Sequence, residues 1–490
     1  MAEIADDGNR TSRRSAGHNA VSLLVGQTLS RLVALAFYIV LARLLGPGRY
    51  GDFGVGMAFG TLLAVPLEPG LNPQLIREGA RNIDRRRAYA ADAFRYKAVT
   101  TPLAALLMVL AAWLLGYRDD ALTAIALVGS AVLVMQIEEF AAAALAACER
   151  LDVSGALRLA NKLLTAFPAT VVAVAGAPFD AVCLAFLLGA VASALLSLMV
   201  VHLRHVPLWG ARSGRGLRAK IRMGLPLALS SALWMLALRL DQAMASLFGV
   251  PVEDIGGYNA VIKLKEALIM FPAVVGLAFT PVFSRHIDDD GALREHVARA
   301  MHWGLGGAIP VAVGTWLVAA PLLGVLFGQP FVSAAPLLRI IFIAYVANGL
   351  MTLLTALVVA RHHYALQAWA SAAVLLGNVV LNALLLPRWG MAGAAVATAV
   401  ATTLGALVLM TEAWRARCVG AVFAATLRSV LACVPMVVLV PLLVDVNLGL
   451  AIVAGAVAYM VVYLLVGGLG PGGARAAWRF VQRRGRAEAP

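Results

Sequence analysis

Ten charged residues interrupt long apolar stretches of this sequence. A charge at the centre of a membrane-spanning helix costs about 2.5–3.5 kcal/mol on insertion scales. Each of these residues is therefore expected to face a water-filled cavity or a partner of opposite charge. Five are basic and five acidic, so the set is neutral overall, and its arginines can bind two phosphate oxygens at once. The set consists of Arg31, Arg239, Lys263, Lys265, Arg339, Glu68, Glu138, Glu139, Asp241 and Glu266.

The charges between residues 239 and 339 favour anion binding. Arg239 lies nine residues before the end of a predicted helix, and Glu266 lies ten residues after the start of the next. Both are then at similar depth, about 13 and about 15 Å, and could meet. Lys263 and Glu266 are three residues apart and can pair along one helix. Of the ten interior candidates, the six from Arg239 to Arg339 comprise four positive and two negative charges in the predicted outer half of the second lobe, an excess of cations that suits a pyrophosphate.

The composition indicates which elements hold these charges. The chain has 490 residues, of which 61% are apolar and 13% charged, with a mean hydropathy of +0.85. Soluble proteins have roughly 45–50% apolar and about 25% charged residues. A helix needs about 20 apolar residues to cross a bilayer, and backbone in lipid must satisfy its own hydrogen bonds. We predict an all-α polytopic membrane protein with spans at 20–43, 51–73, 89–115, 120–147, 156–176, 180–202, 221–248, 256–284, 297–320, 333–359, 364–386, 390–411, 422–444 and 448–470.

The basic residues predict the orientation of these spans. Lys and Arg accumulate in the two tails and in every second gap between spans, which places both termini in the cytoplasm. These short clusters account for most of the net charge of +14, so a nucleic-acid partner is not expected, and anionic-lipid contact is the alternative to a purely topological role. The four cysteines lack metal-ligand spacing, and there is no Walker motif. We therefore expect no metal, no cofactor and no ATP hydrolysis.

An internal repeat predicts the domain organisation. Shifting the chain by 203 residues aligns Gly46 with Gly249, Gly54 with Gly257 and Pro69 with Pro272. Both copies begin on the cytoplasmic side, so they are parallel repeats about an axis along the membrane normal. The predicted parts are a basic tail (1–19), an N-lobe of six spans (20–202), a linker (203–220), a C-lobe of six spans (221–411), two further helices (412–470) and a basic tail (471–490).

Three stretches of the sequence together resemble a known family. The first comprises 41–51 (LARLLGPGRYG) and 70–78 (GLNPQLIRE), and the second runs from 257 to 281. The third comprises 326–328, 335–339 (APLLR) and 378–395 (NVVLNALLLPRWGMAGAA). As a set they resemble the polysaccharide-biosynthesis flippases of the multidrug/oligosaccharidyl-lipid/polysaccharide exporter superfamily. The likeness extends over most of residues 20–411.

The resemblance implies two six-helix lobes, related by a pseudo-two-fold axis, around a central cavity, plus two C-terminal helices. It also implies a flippase, not an enzyme, that moves a lipid-linked oligosaccharide across a bacterial inner membrane by alternating access. The expected partners are this substrate, membrane lipids, H⁺ or Na⁺ as coupling ion, and other polysaccharide-assembly proteins. A multidrug antiporter of the same superfamily is the alternative. A membrane-embedded polymerase or glycosyltransferase would need a larger outer loop than any found here.

The interior residues then receive expected roles. Arg31 lies where the family's substrate-contacting arginines occur, and it joins Arg239, Lys263, Lys265 and Arg339 as a substrate-binding candidate. Asp241, Glu266, Glu68, Glu138 and Glu139 are candidates for coupling or gating. Because Glu138 and Glu139 are adjacent, at most one is expected to face the cavity. Structural ion pairs are the alternative for all of them. The candidate hinges are Pro66, Pro69, Pro272 and Pro281, which could equally form static kinks.

Overall fold

The computed structural model describes residues 2–208, 217–237 and 239–468, without the side chains of residues 2–25, 218–219, 226–231 and 234. No strand occurs in these ranges. The chain divides into two compact units, Met1–Asn259 and Ala260–Pro490. The predicted tail 471–490 and much of the predicted linker lie outside the described residues. The predicted lobe boundaries stay predictions.

Among its described residues, the first unit contains ten helices or parts of helices, and two short irregular turns. The helices are α1 (Ala2–Ala64), α2 (Leu71–Arg81), α3 (Ile83–Leu114), α4 (Asp119–Ala124), α5 (Ser130–Ala147), α6 (Leu151–Val174), α7 (Phe179–Arg204), α8 (Leu217–Ala237), α9 (Leu240–Leu247) and the first turns of α10 (Val252–Leu268). A 3₁₀ turn, Val65–Leu67, follows α1, and a π turn, Ile125–Gly129, joins α4 to α5.

Up to residue 468, where the description ends, the second unit contains the rest of α10 and eight further helices. They are α11 (Met270–Arg285), α12 (Asp290–Leu317), α13 (Ala319–Phe327), α14 (Ala335–Ala360), α15 (Tyr364–Arg415), α16 (Val419–Ala432), α17 (Val434–Val444) and α18 (Leu448–Leu465). A 3₁₀ segment, Gln329–Ala334, precedes α14.

The structure confirms the all-α polytopic membrane fold. Within the described residues, ten helices are long and apolar enough to cross a bilayer, or eleven if the pair α12 and α13, bent by 83°, is one span. Two of the ten each include two predicted spans, which explains part of the difference from fourteen. These are Gly26–Leu67 and Tyr364–Arg415. The predicted span 221–248 falls on α8 and α9, which lie partly outside the described residues.

Two glycines allow these long helices to change direction. Gly46 inside α1 has φ 71° and ψ 172°, and Gly390 inside α15 has φ 52° and ψ −137°. Glycine adopts positive φ without the clash that a Cβ would cause. Pro47 follows Gly46 and disfavours helical backbone in the residue before it. Each glycine therefore marks the boundary between two spans that the sequence separates.

The same backbone geometry recurs at the predicted repeat of Gly46. Gly249, 203 residues later, has φ 70°, and at both positions an added Cβ would meet no atom within 4 Å. The glycines are thus required for their conformation and not for close packing. The third aligned pair differs locally: Pro69 lies in a bend after the 3₁₀ turn, whereas Pro272 lies in the first turn of α11.

The C-terminal helices are attached to α12 by side chains that bind its backbone. The Tyr463 hydroxyl donates to the His302 carbonyl and the Tyr459 hydroxyl to the Gly306 carbonyl, each at 2.5 Å. Arg428 of α16 donates to His302 Nε2 at 3.0 Å and to the Gly467 carbonyl at 3.1 Å. We call Arg428, Tyr459 and Tyr463 the α12 clasp.

Candidate functional site

The first unit contains a polar cavity of about 200 Å³ bordered by α1, α5 and α6. Its charged lining residues are Glu138, Glu139, Arg158 and Lys162. Since α5 ends at Ala147 and α6 begins at Leu151, these residues occupy similar depths. Glu138 is about 13 Å from the end of α5, and Lys162 is about 16 Å from the start of α6. The antiparallel helices thereby bring acidic and basic residues into one hollow.

Glu139 forms a two-pronged ion pair with Arg158 across this cavity. The distances Nη1–Oε1 and Nη2–Oε2 are both 3.0 Å. The backbone carbonyl of Arg158 also accepts a hydrogen bond from the Ser30 hydroxyl of α1, at 3.3 Å. Planar bidentate pairs of this kind combine two charge-assisted hydrogen bonds. Glu139 is therefore neutralised within the first unit, which matches the structural alternative for this residue.

Glu138 has a different environment. Its Oε1 accepts a hydrogen bond from the Ser193 hydroxyl of α7. Lys162 borders the same cavity without forming a hydrogen bond or ion pair with any described side chain. Both adjacent glutamates line this cavity of the first unit, because two long side chains about 100° apart on a helix can both reach a hollow between neighbouring helices. The expectation that at most one of them faces the central cavity stays a prediction.

Glu68 is held by a buried cation at the end of the 3₁₀ turn. The distance from Lys97 Nζ to Glu68 Oε2 is 2.9 Å, and Lys97 is only 1% exposed. Lys97 also donates to the Leu67 carbonyl at 3.0 Å, and Glu68 Oε1 accepts from the backbone N–H of Asn72 at 2.9 Å. These bonds join α3 to the break between α1 and α2. The arrangement is that of a structural ion pair.

Arg239 and Asp241 lie at a helix break that the sequence does not predict. α8 ends at Ala237 and α9 begins at Leu240, with Arg239 as the preceding cap residue. Arg239 is 8% exposed and Asp241 2%. Asp241 accepts hydrogen bonds from the backbone N–H of Gln242, at 2.8 Å, and from the buried Tyr258 hydroxyl of α10. The Asp241 carboxylate thus joins α9 to α10. Arg239, two residues earlier, is also buried.

Lys263 and Glu266 form the predicted pair along α10. Lys263 Nζ lies 3.4 Å from Glu266 Oε2, and their side chains are 4% and 37% exposed. Lys265 is also buried, at 7% exposed. The three-residue spacing therefore predicted this contact correctly.

Arg339 lies at an apolar groove of about 520 Å³ in the second unit. Its Nε donates to the Trp316 carbonyl at 3.4 Å, and its guanidinium lies over the Trp316 ring at 5.3 Å from the centroid. No carboxylate among the described side chains pairs with it. The groove is bordered by α12, α14, α15, α16 and α17, represented by Leu305, Phe342, Leu350, Thr403, Val430 and Val437.

The remaining candidates occupy separate positions. Arg31 is exposed on α1 and has no hydrogen bond or ion pair with any described side chain. Pro66 lies in the 3₁₀ turn Val65–Leu67, and Pro281 lies inside α11. The passage that Arg31, Arg239 and Lys263 are predicted to share stays a prediction.

Sequence reasoning did not select the cations that neutralise two of its candidates. Lys97 lies inside the predicted span 89–115, and Arg158 and Lys162 lie in the first turns of the span 156–176. In the sequence, each of these cations could have been recognised as a charge inside an apolar stretch. Arg158 and Lys162 are also four residues apart, which places both on one face of a helix. Their partners are 29 and 19 residues away for Lys97 and Arg158, so they depend on the packing of different helices.

Comparisons with known proteins support both the family and the fold. The family model of polysaccharide biosynthesis proteins matches residues 16–286, more than half of the chain, and the MatE model matches residues 226–384. No curated protein matches the sequence.

Solved structures give the fold. A lipid II flippase MurJ in an inward closed conformation has a TM-score of 0.73 at 13% identity and covers 92% of this chain and 98% of its own. An inward-facing multidrug resistance MATE family transporter has a TM-score of 0.63 at 16% identity, and the match covers 79% of this chain and 94% of that transporter. A transporter of the MOP superfamily from Pyrococcus furiosus has a TM-score of 0.54 at 13% identity, and the match covers 82% of this chain and 95% of that transporter. The sequence match over more than half of the chain shows that this protein belongs to the polysaccharide biosynthesis protein family, and it shares the helical fold of these solved structures.

Proposed function

We propose that this protein is a flippase that moves a lipid-linked oligosaccharide across the cytoplasmic membrane by alternating access, for cell-surface polysaccharide biosynthesis. The observation that carries the proposal is the family match over residues 16–286. The membership of a transporter family supports a carrier rather than an enzyme. The membrane is the bacterial inner membrane, with both termini in the cytoplasm as the basic clusters predict.

Buried cations support a phosphorylated headgroup as the part of the substrate that enters the protein. Arg239, Lys263 and Lys265 are each less than 10% exposed. An ammonium or guanidinium shielded from bulk water attracts phosphate more strongly than an exposed one, because the dielectric around it is low. Arg31 contributes an exposed guanidinium that is available to substrate. In this proposal Asp241 and Glu266 adjust the charge around these cations during transport.

The groove at Arg339 fits the hydrocarbon part of the same substrate. Its lining is almost entirely aliphatic and aromatic, with Thr403 and Thr426 as small polar exceptions. The guanidinium of Arg339 has only a carbonyl and an indole ring as recorded contacts, so an acidic head attached to a polyprenyl chain would complement it. We assign the groove to the polyprenyl tail.

The remaining predicted parts follow the transport cycle. Pro66, Pro69, Pro272 and Pro281 are proposed hinges. The first three lie at or near interruptions of helices, and Pro281 lies inside α11, where it removes a backbone hydrogen bond. Membrane lipids surround the spans, H⁺ or Na⁺ would drive the cycle, and polysaccharide-assembly proteins would supply and consume the substrate.

Complementation of a bacterial strain that lacks its polysaccharide flippase tests the proposal. The wild-type protein should restore surface polysaccharide. Arg31→Ala and Arg239→Ala should lower it at least about tenfold, because each loses a charge-assisted hydrogen bond of about 1.5–3 kcal/mol. Arg299→Ala is the matched control, since Arg299 only pairs with Glu295 on its own helix. Full rescue by both test variants would remove the site assignment.

A multidrug antiporter is the second candidate, favoured by the MatE match over residues 226–384. It predicts that expression raises the inhibitory concentration of cationic drugs in a drug-sensitive strain. Drug resistance without complementation in any flippase-deficient strain would select this alternative and overturn the flippase.

A further inference from the structure

We infer that Glu138 is a proton-binding site in the cavity of the first unit, and that this cavity takes H⁺ and not Na⁺. The inference rests on the proposed function, because it names the ion that would drive that transport. It is carried by four features of the cavity: the bonding of Glu138, the occupation of Glu139, the cations in the lining and the position of Lys162.

Glu138 differs from Glu68 and Glu139, the other acidic candidates near this unit's membrane-spanning helices, in the groups that neutralise its charge. Glu139 has Arg158 at 3.0 Å and Glu68 has Lys97 at 2.9 Å. No described cation lies within 4 Å of the Glu138 carboxyl, and Lys162 and Arg158 act on it only from farther away. Its hydrogen-bond partners are the neutral side chains of Ser193 and Asn161. A carboxyl group inside a membrane-spanning helix without an adjacent cation is stable in its neutral form. Glu138 therefore carries a proton while the cavity is closed.

The groups that face Glu138 come from four helices. Ser30 and Tyr38 belong to α1, Gln136 and Glu139 to α5, and Ser193 to α7. The groups of α6 are Arg158, Asn161 and Lys162. Only Glu139, Arg158 and Lys162 among them carry charge beside Glu138, and the first two neutralise each other.

This lining is unsuited to a metal cation. Hard cations are held by several oxygen ligands at once. Both carboxylate oxygens of Glu139 are already occupied by Arg158, so Glu138 is the single carboxylate that could serve. Sodium would also meet the Lys162 ammonium in the same hollow. The described part of the chain holds no cluster of three or more His, Cys, Asp or Glu residues suited to a metal. A proton needs only one carboxylate oxygen.

Lys162 provides the means of release. It borders the cavity but pairs with no described carboxylate, so its ammonium can compensate a charge that appears on Glu138. When water enters the cavity, the Glu138 carboxylic acid gives its proton to that water, and the resulting carboxylate faces Lys162. The reverse step takes a proton from water and restores the hydrogen bond from Ser193. One proton is bound and released in each cycle, with no other reactant.

Infrared difference spectroscopy of the purified full-length protein in lipid vesicles tests the site directly. Titration with pH should remove the carbonyl-stretch band of one protonated carboxyl group in the wild type. That band should be absent in Glu138→Gln, shifted in frequency in Glu138→Asp and retained in Glu139→Gln. Addition of NaCl at fixed pH should leave it unchanged. A band that persists in Glu138→Gln, or one that NaCl removes, would overturn the inference.

A transport assay separates this inference from the proposed function. The same vesicles are supplied with a fluorescent polyprenyl-pyrophosphate disaccharide, and flipping is measured with and without a pH gradient. Wild type should flip faster with the gradient, whereas Glu138→Gln should flip at one rate in both conditions. Flipping that responds to the gradient equally in both proteins would contradict the proton site alone. A titrating Glu138 band without any flipping would contradict the flippase alone.

Discussion

Arg158 and Glu139 face each other across two parallel 3.0 Å contacts between α6 and α5. This pair occupies both oxygens of one glutamate of the cavity and leaves the neighbouring Glu138 to a hydroxyl group. The two adjacent carboxyl groups consequently have different chemistry although they share one helix. The distinction between them follows from which helix each one faces.

The coupling between Arg158 and Glu139 can be measured with a double-mutant cycle. Arg158→Met and Glu139→Gln should each lower the free energy of unfolding in detergent, and the double variant should lower it by less than their sum. We expect an interaction energy of about 1 kcal/mol, the order found for paired residues in contact. The exposed Arg299–Glu295 pair should give about 0.3–0.5 kcal/mol in the same cycle. Strict additivity for Arg158 and Glu139 would show that the pair contributes no stability.

Removal of the cation at Glu68 should have a larger effect. Lys97 is 1% exposed, so Lys97→Met leaves a partly buried carboxylate without its partner. Loss of one member of a buried ion pair costs about 3–5 kcal/mol, and the 22% exposure of Glu68 places the expected loss near the lower end. Glu68→Gln should also destabilise the protein, since it leaves the Lys97 ammonium, 1% exposed, without a carboxylate. A Lys97→Met variant as stable as wild type would argue against an uncompensated charge at Glu68. The measurement is thermal unfolding in detergent.

The two glycines that divide α1 and α15 should not tolerate alanine. At Gly46 and Gly390 positive φ would place a Cβ in an unfavourable conformation, so each substitution should destabilise the protein by roughly 1–2 kcal/mol. Gly420→Ala in α16 is the matched control. That glycine has ordinary helical backbone and open space around it, so alanine should stabilise it by about 0.5–1 kcal/mol. A neutral Gly46→Ala variant would mean that the turn relaxes without strain.

Acid should weaken the contact between α2 and the start of α3 through Glu78. Partial burial alone would raise the pKa of Glu78, but the hydrogen bond from Arg85, at 2.9 Å, and the charges of Arg77 and Arg81 outweigh it and lower the pKa. A carboxyl group whose pKa is lowered by folding stabilises the protein above its unfolded pKa of about 4.3. That stability is lost as the pH falls through the folded pKa.

The measurement for Glu78 is the free energy of unfolding between pH 7 and pH 3. Wild type should lose more stability over the acid part of this range than Glu78→Gln, which cannot ionise. Arg85→Gln should reduce the pH dependence in the same direction, because it removes the donor. Identical acid profiles for wild type and Glu78→Gln would contradict the role of Glu78.

The sequence predicted the helical class, the positions of most spans and one ion pair, because these depend on local patterns. Lys263 and Glu266 are three residues apart, and helix geometry alone brings them together. The partner of Glu139 could not be predicted, since it depends on the relative rotation of α5 and α6. The break before Arg239 was also missed: no proline or glycine occurs between Ala237 and Leu240 to indicate it. Spans 20–43 and 51–73 look separate in sequence, yet one glycine joins their helices without a loop.

The α12 clasp determines what a truncation of the C-terminal helices would expose. Tyr459 and Tyr463 bind the main-chain carbonyls of Gly306 and His302, and an added Cβ at Gly306 would lie 2.2 Å from the Tyr463 hydroxyl, so the attachment requires glycine at that position. Truncation ahead of Leu448 would delete both hydroxyl donors and expose the surface of α12 that α18 covers in the intact protein. A version of this protein that ends ahead of Leu448 therefore needs that surface of α12 redesigned for contact with lipid.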